Sequence, residues 1–209
     1  MLVYFVIGAT SIAGNLIKII VILKFKLYTH NQYIYKFSIG VSDFLLGFVI
    51  MYYLIQHICF IFLRFQTDQL LTSNFERTNY NSSFLENVVF LNSSNLKKII
   101  SLPGYTCIHV SSLNLALFAY DRYKSIANPI LYKRIKNVKK AVCSSVFVWF
   151  LTILTTVTLN FLNGKLGSNF LEFKHLYFVL FYFFPFVLMW IFTTLCIFSL
   201  KKIINFQRN

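Results

Sequence analysis

Apolar positions in this chain fall in long unbroken runs, not at every second position or on one stripe of a helical repeat. Five such runs cover residues 2–23, 37–63, 99–120, 141–162 and 176–200. Each reaches the roughly 20 residues that a helix needs to cross hydrocarbon. They are far longer than the about 9 to 11 residues of a barrel strand, and a lone strand in lipid leaves its backbone groups unsatisfied. The pattern predicts an all-α integral membrane bundle of five transmembrane helices, forming one domain over residues 1–209. Two polar connections stand out, a long loop over 64–98 and a basic one over 121–140.

Composition agrees: 57% of residues are hydrophobic and 12% charged, against roughly 25% charged in a soluble domain. The net charge of +14 would suggest nucleic acid in a soluble chain, but its distribution redirects that reading. If the first run exits to the cytoplasm, thirteen Lys and Arg residues lie on the inner side and six on the outer. That asymmetry predicts an extracellular N-terminus and a cytoplasmic C-terminus. Inner-leaflet anionic lipid and an acidic cytosolic protein are the partners implied, and nucleic acid is excluded.

Two N-glycosylation sequons, at Asn81 and Asn92, both fall in the 64–98 loop that the charge rule places outside. The N-terminal run lacks a basic start and stays apolar beyond Ser11-Ile12-Ala13, so it reads as an uncleaved span. Cys59, Cys107, Cys143 and Cys196 lie inside apolar runs, which implies small buried side chains and no disulfide framework. No spacing of Cys and His suggests a metal, no nucleophile–base pair suggests an enzyme, and no cofactor is called for.

The chemistry concentrates at Asp121-Arg122-Tyr123, where the third run ends. A charged residue costs roughly 2.5 to 3.5 kcal/mol at a helix centre, so an Asp-Arg pair at the edge of hydrocarbon needs a use. Pro129 follows the Arg by seven residues and Tyr132 lies three further on. The whole segment resembles the cytoplasmic end of the third span in rhodopsin-like G-protein-coupled receptors. Asn15 after Gly14, Asp43 within Ser42-Asp43-Phe44-Leu45-Leu46-Gly47, Trp149 in the fourth run and Pro185 in the fifth stand in matching order. Segments 121–132 and 181–190 look most like aminergic receptors, histamine types especially.

The resemblance implies a plasma-membrane receptor coupled to a heterotrimeric G protein once the full receptor is assembled. Arg122 is held by its acidic neighbour until activation and then reaches the G protein. Ile130 inserts as an apolar knob, and Tyr132 bonds Asp121. Asp43 and Ser111 would hold a sodium ion; a protonated Asp43 bonded to Asn15 and Ser38 is the competing reading. The extracellular ligand would meet Tyr105, Ile108, His109, Tyr177, Phe181 and Tyr182, an aromatic and nearly uncharged set that suits a peptide, lipid or small apolar molecule.

Departures refine this. Gly104 stands where aminergic receptors carry their ammonium-binding Asp, and Tyr177 and Phe181 stand where polar ligand contacts are expected. Lys97 occupies the place of the extracellular Cys, and 163–175 offers no partner Cys. Thr193 stands in place of a Tyr that supports the active Arg. No sixth or seventh span follows residue 200. The expectation is therefore a fragment or truncated form, with a non-signalling chain that pairs with full-length receptors as the alternative.

Overall fold

A computed structural model describes residues 1–72, 94–135, 137–166 and 183–208. Helix α1 spans Leu2–Lys24, α2 Asn31–Thr72, α3 Ser94–Ala127, α4 Pro129–Ile135, α5 Val138–Leu166 and α6 Phe184–Arg208, with a 3-10 turn at Leu27–Thr29. Between α1 and that turn, Lys26 adopts a left-handed backbone with φ 52°. A left-handed residue cannot continue the helix, so the chain reverses there and α2 returns along α1.

Two glycines let α1 and α2 approach closely. A Cβ on Gly47 would lie 2.7 Å from Ile12 Cγ1 and 3.1 Å from the Gly8 carbonyl oxygen. Small residues at such a crossing are the usual means by which membrane helices pack, because lipid supplies no hydrophobic drive between them.

Helix α3 is the central element, packing against α2, α5 and α6. Its enclosed positions include Thr106, His109, Asn114 and Asp121. Polar groups facing other helices escape lipid, whereas α1 and α6 turn apolar side chains such as Phe5, Ile17, Trp190 and Phe198 outward. Among the described residues, four helices are long and apolar enough to cross a membrane: Leu2–Lys24, Asn31–Phe62, Val138–Leu159 and Phe184–Asn205. The predicted third span lies within α3, whose interior polarity lowers its hydropathy.

The predicted loops prove partly helical. Helix α2 runs past residue 63 to Thr72, and α3 begins at Ser94. At the other end α3 continues to Ala127, and α4 fills much of 121–140. Hydropathy marks the hydrocarbon boundary, while helical hydrogen bonding continues beyond it. The first part of the predicted 176–200 span lies outside the described residues, and Pro185 is fully buried at the start of α6.

Candidate functional site

Pro129 opens α4 with its φ already helical, and the Tyr132 amide bonds the Asn128 carbonyl at 2.9 Å. That turn carries the Tyr132 hydroxyl back to α3, where it donates to Asp121 Oδ2 at 2.8 Å. Asp121 is buried. Burial, then the bond to Asp121, raises the Tyr132 phenol above its ordinary value, so it remains a donor.

Arg122 is exposed and lies over the Phe118 ring, 5.1 Å from its centroid. The acidic-neighbour lock implied by the resemblance is thus not what Asp121 makes here; its carboxylate accepts from the Tyr132 hydroxyl, while successive α3 positions send Asp121 inward and Arg122 outward. Tyr123 stacks on Phe192 of α6 at 6.2 Å, and Tyr120 meets the same ring at 5.1 Å. Ile130 is 87% exposed. Beneath α4 a cavity of about 350 Å³ is bordered by Asn31, Tyr35, Asp121, Lys124, Tyr132 and Lys140.

Deeper in the bundle, the structure brings Asp43 and Ser111 together, with the Ser111 hydroxyl donating to Asp43 Oδ1. Ser42 Oγ lies 2.7 Å from Ser111 Oγ. Asn15 and Ser38, the partners of Asp43 in the competing reading, bond elsewhere. Asn15 Nδ2 donates to the Ser11 carbonyl at 2.9 Å, and Trp149 Nε1 donates to Ser38 Oγ at 2.9 Å. Ser11 in turn donates to the Asp43 carbonyl at 2.8 Å. At the far end, Lys18 Nζ donates to Asn15 Oδ1 at 2.7 Å.

Polar contacts therefore link α1, α2 and α3: Lys18, Asn15 and Ser11 are joined by way of the Ser11 and Asp43 main-chain carbonyls, and the Asp43 carboxylate, Ser111 and Ser42 form a separate side-chain cluster. Sequence reasoning found Asn15, Asp43 and Ser111 but missed Lys18, which was visible as an ionisable residue six positions before the end of α1. It also missed the bond from Ser145 Oγ to Asn114 Oδ1 at 3.1 Å and the 3.2 Å pair of Tyr35 and Ser144. Hydroxyls on apolar helices carry no signal of which neighbour they meet.

The expected ligand pocket divides. Tyr105 and Ile108 are exposed, whereas His109 is fully buried. Tyr177, Phe181 and Tyr182 lie outside the described residues, as do the sequons at Asn81 and Asn92. A Cβ at Gly104 would meet Val49 Cγ1 of α2 at 3.3 Å. The Thr193 hydroxyl bonds the Met189 carbonyl of its own helix at 2.8 Å.

A family model described as the 7 transmembrane receptor of the rhodopsin family matches residues 67–209. A 49-residue stretch is 47% identical to the N-arachidonyl glycine receptor of Rattus norvegicus, covering 23% of this chain and 15% of that relative. The matched region includes the Asp121–Tyr132 apparatus and the Trp149 and Pro185 helices. With its helical membrane bundle and this match over most of its length, the chain belongs to the rhodopsin family of seven-transmembrane receptors.

Proposed function

We propose that the protein passes an extracellular signal to a heterotrimeric G protein, with Arg122 and Ile130 as its contacts. The family implies G-protein coupling and a membrane setting at a general level. What supports the finer reading is the division of labour at the end of α3: buried Asp121 is satisfied by Tyr132, which leaves the neighbouring Arg122 exposed. Ile130, 87% exposed on a helix that begins at Pro129, offers an apolar side chain beside it.

The orientation that suits this work is cytoplasmic for 121–140 and extracellular for 64–98. The thirteen-to-six distribution of basic residues and the shared side of the two sequons support it. For the ligand, an uncharged or apolar molecule fits the aromatic set better than an amine, because Gly104 supplies no carboxylate. The similar rat protein is named a receptor for N-arachidonyl glycine, which points in the same direction.

Nucleotide exchange on a heterotrimeric G protein, measured in membranes carrying the protein, tests the reading. Exchange should fall to background in Arg122→Ala and drop markedly in Ile130→Asp, with both variants still in the membrane. Equal exchange in all three would dismiss the coupling role.

A further inference from the structure

We infer that Phe118 is the positioning residue of the coupling surface: its ring holds the Arg122 guanidinium in place without using any of the N–H donors that a partner would take. This role rests on the coupling reading of Arg122 and adds the residue through which Arg122 is set. Phe118 stands one helical turn before Arg122 on α3, and helical side chains lean towards the N-terminus, so the arginine folds back over that ring. Phe118 is half-buried, packed against the cluster of Ile34 and Tyr35 from α2 and Ala141 from α5. The bundle therefore fixes the ring, while the arginine that it carries stays exposed.

A second cation marks the ring as a seat for positive charge and not merely as a helical neighbour. Lys36 Nζ reaches it from α2, 5.4 Å from the centroid, with Arg122 Cζ at 5.1 Å. Lys36 also lies 5.0 Å over the Tyr33 ring of its own helix, whereas Phe118 is the one ring that Arg122 meets among the described residues. Loss of Phe118 thus leaves Lys36 a seat and Arg122 none.

Chemistry explains why a ring suits this place. A carboxylate beside Arg122 would occupy the N–H fork of the guanidinium, the part of the side chain that recognises a partner. A ring face attracts the delocalised charge and takes up no donor. Asp121, the adjacent acid, is committed to Tyr132. Among the described residues Arg122 is accordingly held by Phe118 with its donors unspent.

Two measurements on the full chain test this. In nucleotide exchange on a heterotrimeric G protein, Phe118→Leu should lower the rate by about twofold to fivefold, whereas Phe118→Tyr, which keeps the π face, and Lys36→Met should both stay near wild type. Exchange in Phe118→Leu equal to wild type would overturn the proposal, and so would Phe118→Tyr as slow as Phe118→Leu. Lys36→Met as slow as Phe118→Leu would overturn it too, because the ring would then act through the lysine. The second measurement is a double-mutant cycle of Phe118→Leu with Arg122→Gln, read by chemical unfolding of the purified protein. The pair should interact by about twofold to fivefold in the unfolding equilibrium. Strict independence refutes the contact whatever the G protein does; an interacting pair, with wild-type exchange no faster than in Arg122→Gln, defeats the coupling reading and the positioning role with it. If Phe118→Leu does not fold, Phe118→Met, of similar reach and without a ring, takes its place in both measurements.

Discussion

Tyr132 on α4 and Asp121 on α3 form a 2.8 Å hydrogen bond that satisfies a buried carboxylate from outside its own helix. Removing the donor leaves a buried acceptor without its partner, which costs about 1 to 3 kcal/mol. Tyr132→Phe should lower stability by that order and loosen α4. The phenol value is raised above 10.0 in the folded protein. Its stabilising contribution is therefore complete below pH 10.0 and is lost only as pH rises through the higher folded value. Thermal melts of both proteins across neutral to alkaline pH check this: a difference that vanishes well below pH 10.0 would contradict it.

Trp149 of α5 and Ser38 of α2 are joined through the indole N–H at 2.9 Å. Interhelical hydrogen bonds in membranes average roughly 0.6 kcal/mol and reach about 1.7. Trp149→Phe and Ser38→Ala should each destabilise, and the double variant should cost less than their sum by that interaction energy. Strict additivity in denaturation curves would show that the bond contributes nothing.

Gly47 leaves no room for a side chain against Ile12 and the Gly8 carbonyl, whereas a Cβ on Gly14 meets nothing within 4 Å. Gly47→Leu should cost about 1 to 3 kcal/mol through overpacking. Gly14→Ala should be neutral or stabilising by up to about 1 kcal/mol, since alanine is the better helix former. Comparing their melting temperatures separates close approach from simple helix propensity.

Biogenic amines should show no high-affinity displaceable binding to membranes containing this protein. Losing one partner of a desolvated ion pair costs about 2 to 5 kcal/mol. Restoring a carboxylate with Gly104→Asp should not rescue binding, because the new side chain would start 3.3 Å from Val49 on α2. Radioligand competition with histamine on both proteins is the measurement, and tight binding to either would contradict the assignment.

The sequence revealed the helices and the chemistry of their ends for distinct reasons. Apolar runs report the hydrocarbon, so a bundle of membrane helices was legible but the helical extensions to Thr72 and from Ser94 were not. Tyr132 was expected as a partner of Asp121 from the resemblance of segment 121–132 to rhodopsin-like receptors, and the turn that Pro129 opens carries the hydroxyl there. The outward position of Arg122 was not readable from adjacency alone; helical geometry sends consecutive residues to different faces. Lys18 escaped a charge count made by loops because it lies inside a run, and only the helix crossing reveals that its stem passes Gly40 on the way to Asn15.

The enclosed polarity of α3 also bears on how the protein is made. A segment with Thr106, His109, Asn114 and Asp121 along its interior face has a weak claim on lipid when it leaves the ribosome alone. Its neighbours α2, α5 and α6 cover those groups, and two of them are synthesised later. The middle of the molecule is thus the part whose entry into the bilayer depends most on company, and α2 is already there to receive it. On this ground α3 is expected to enter the bilayer against α2 rather than on its own.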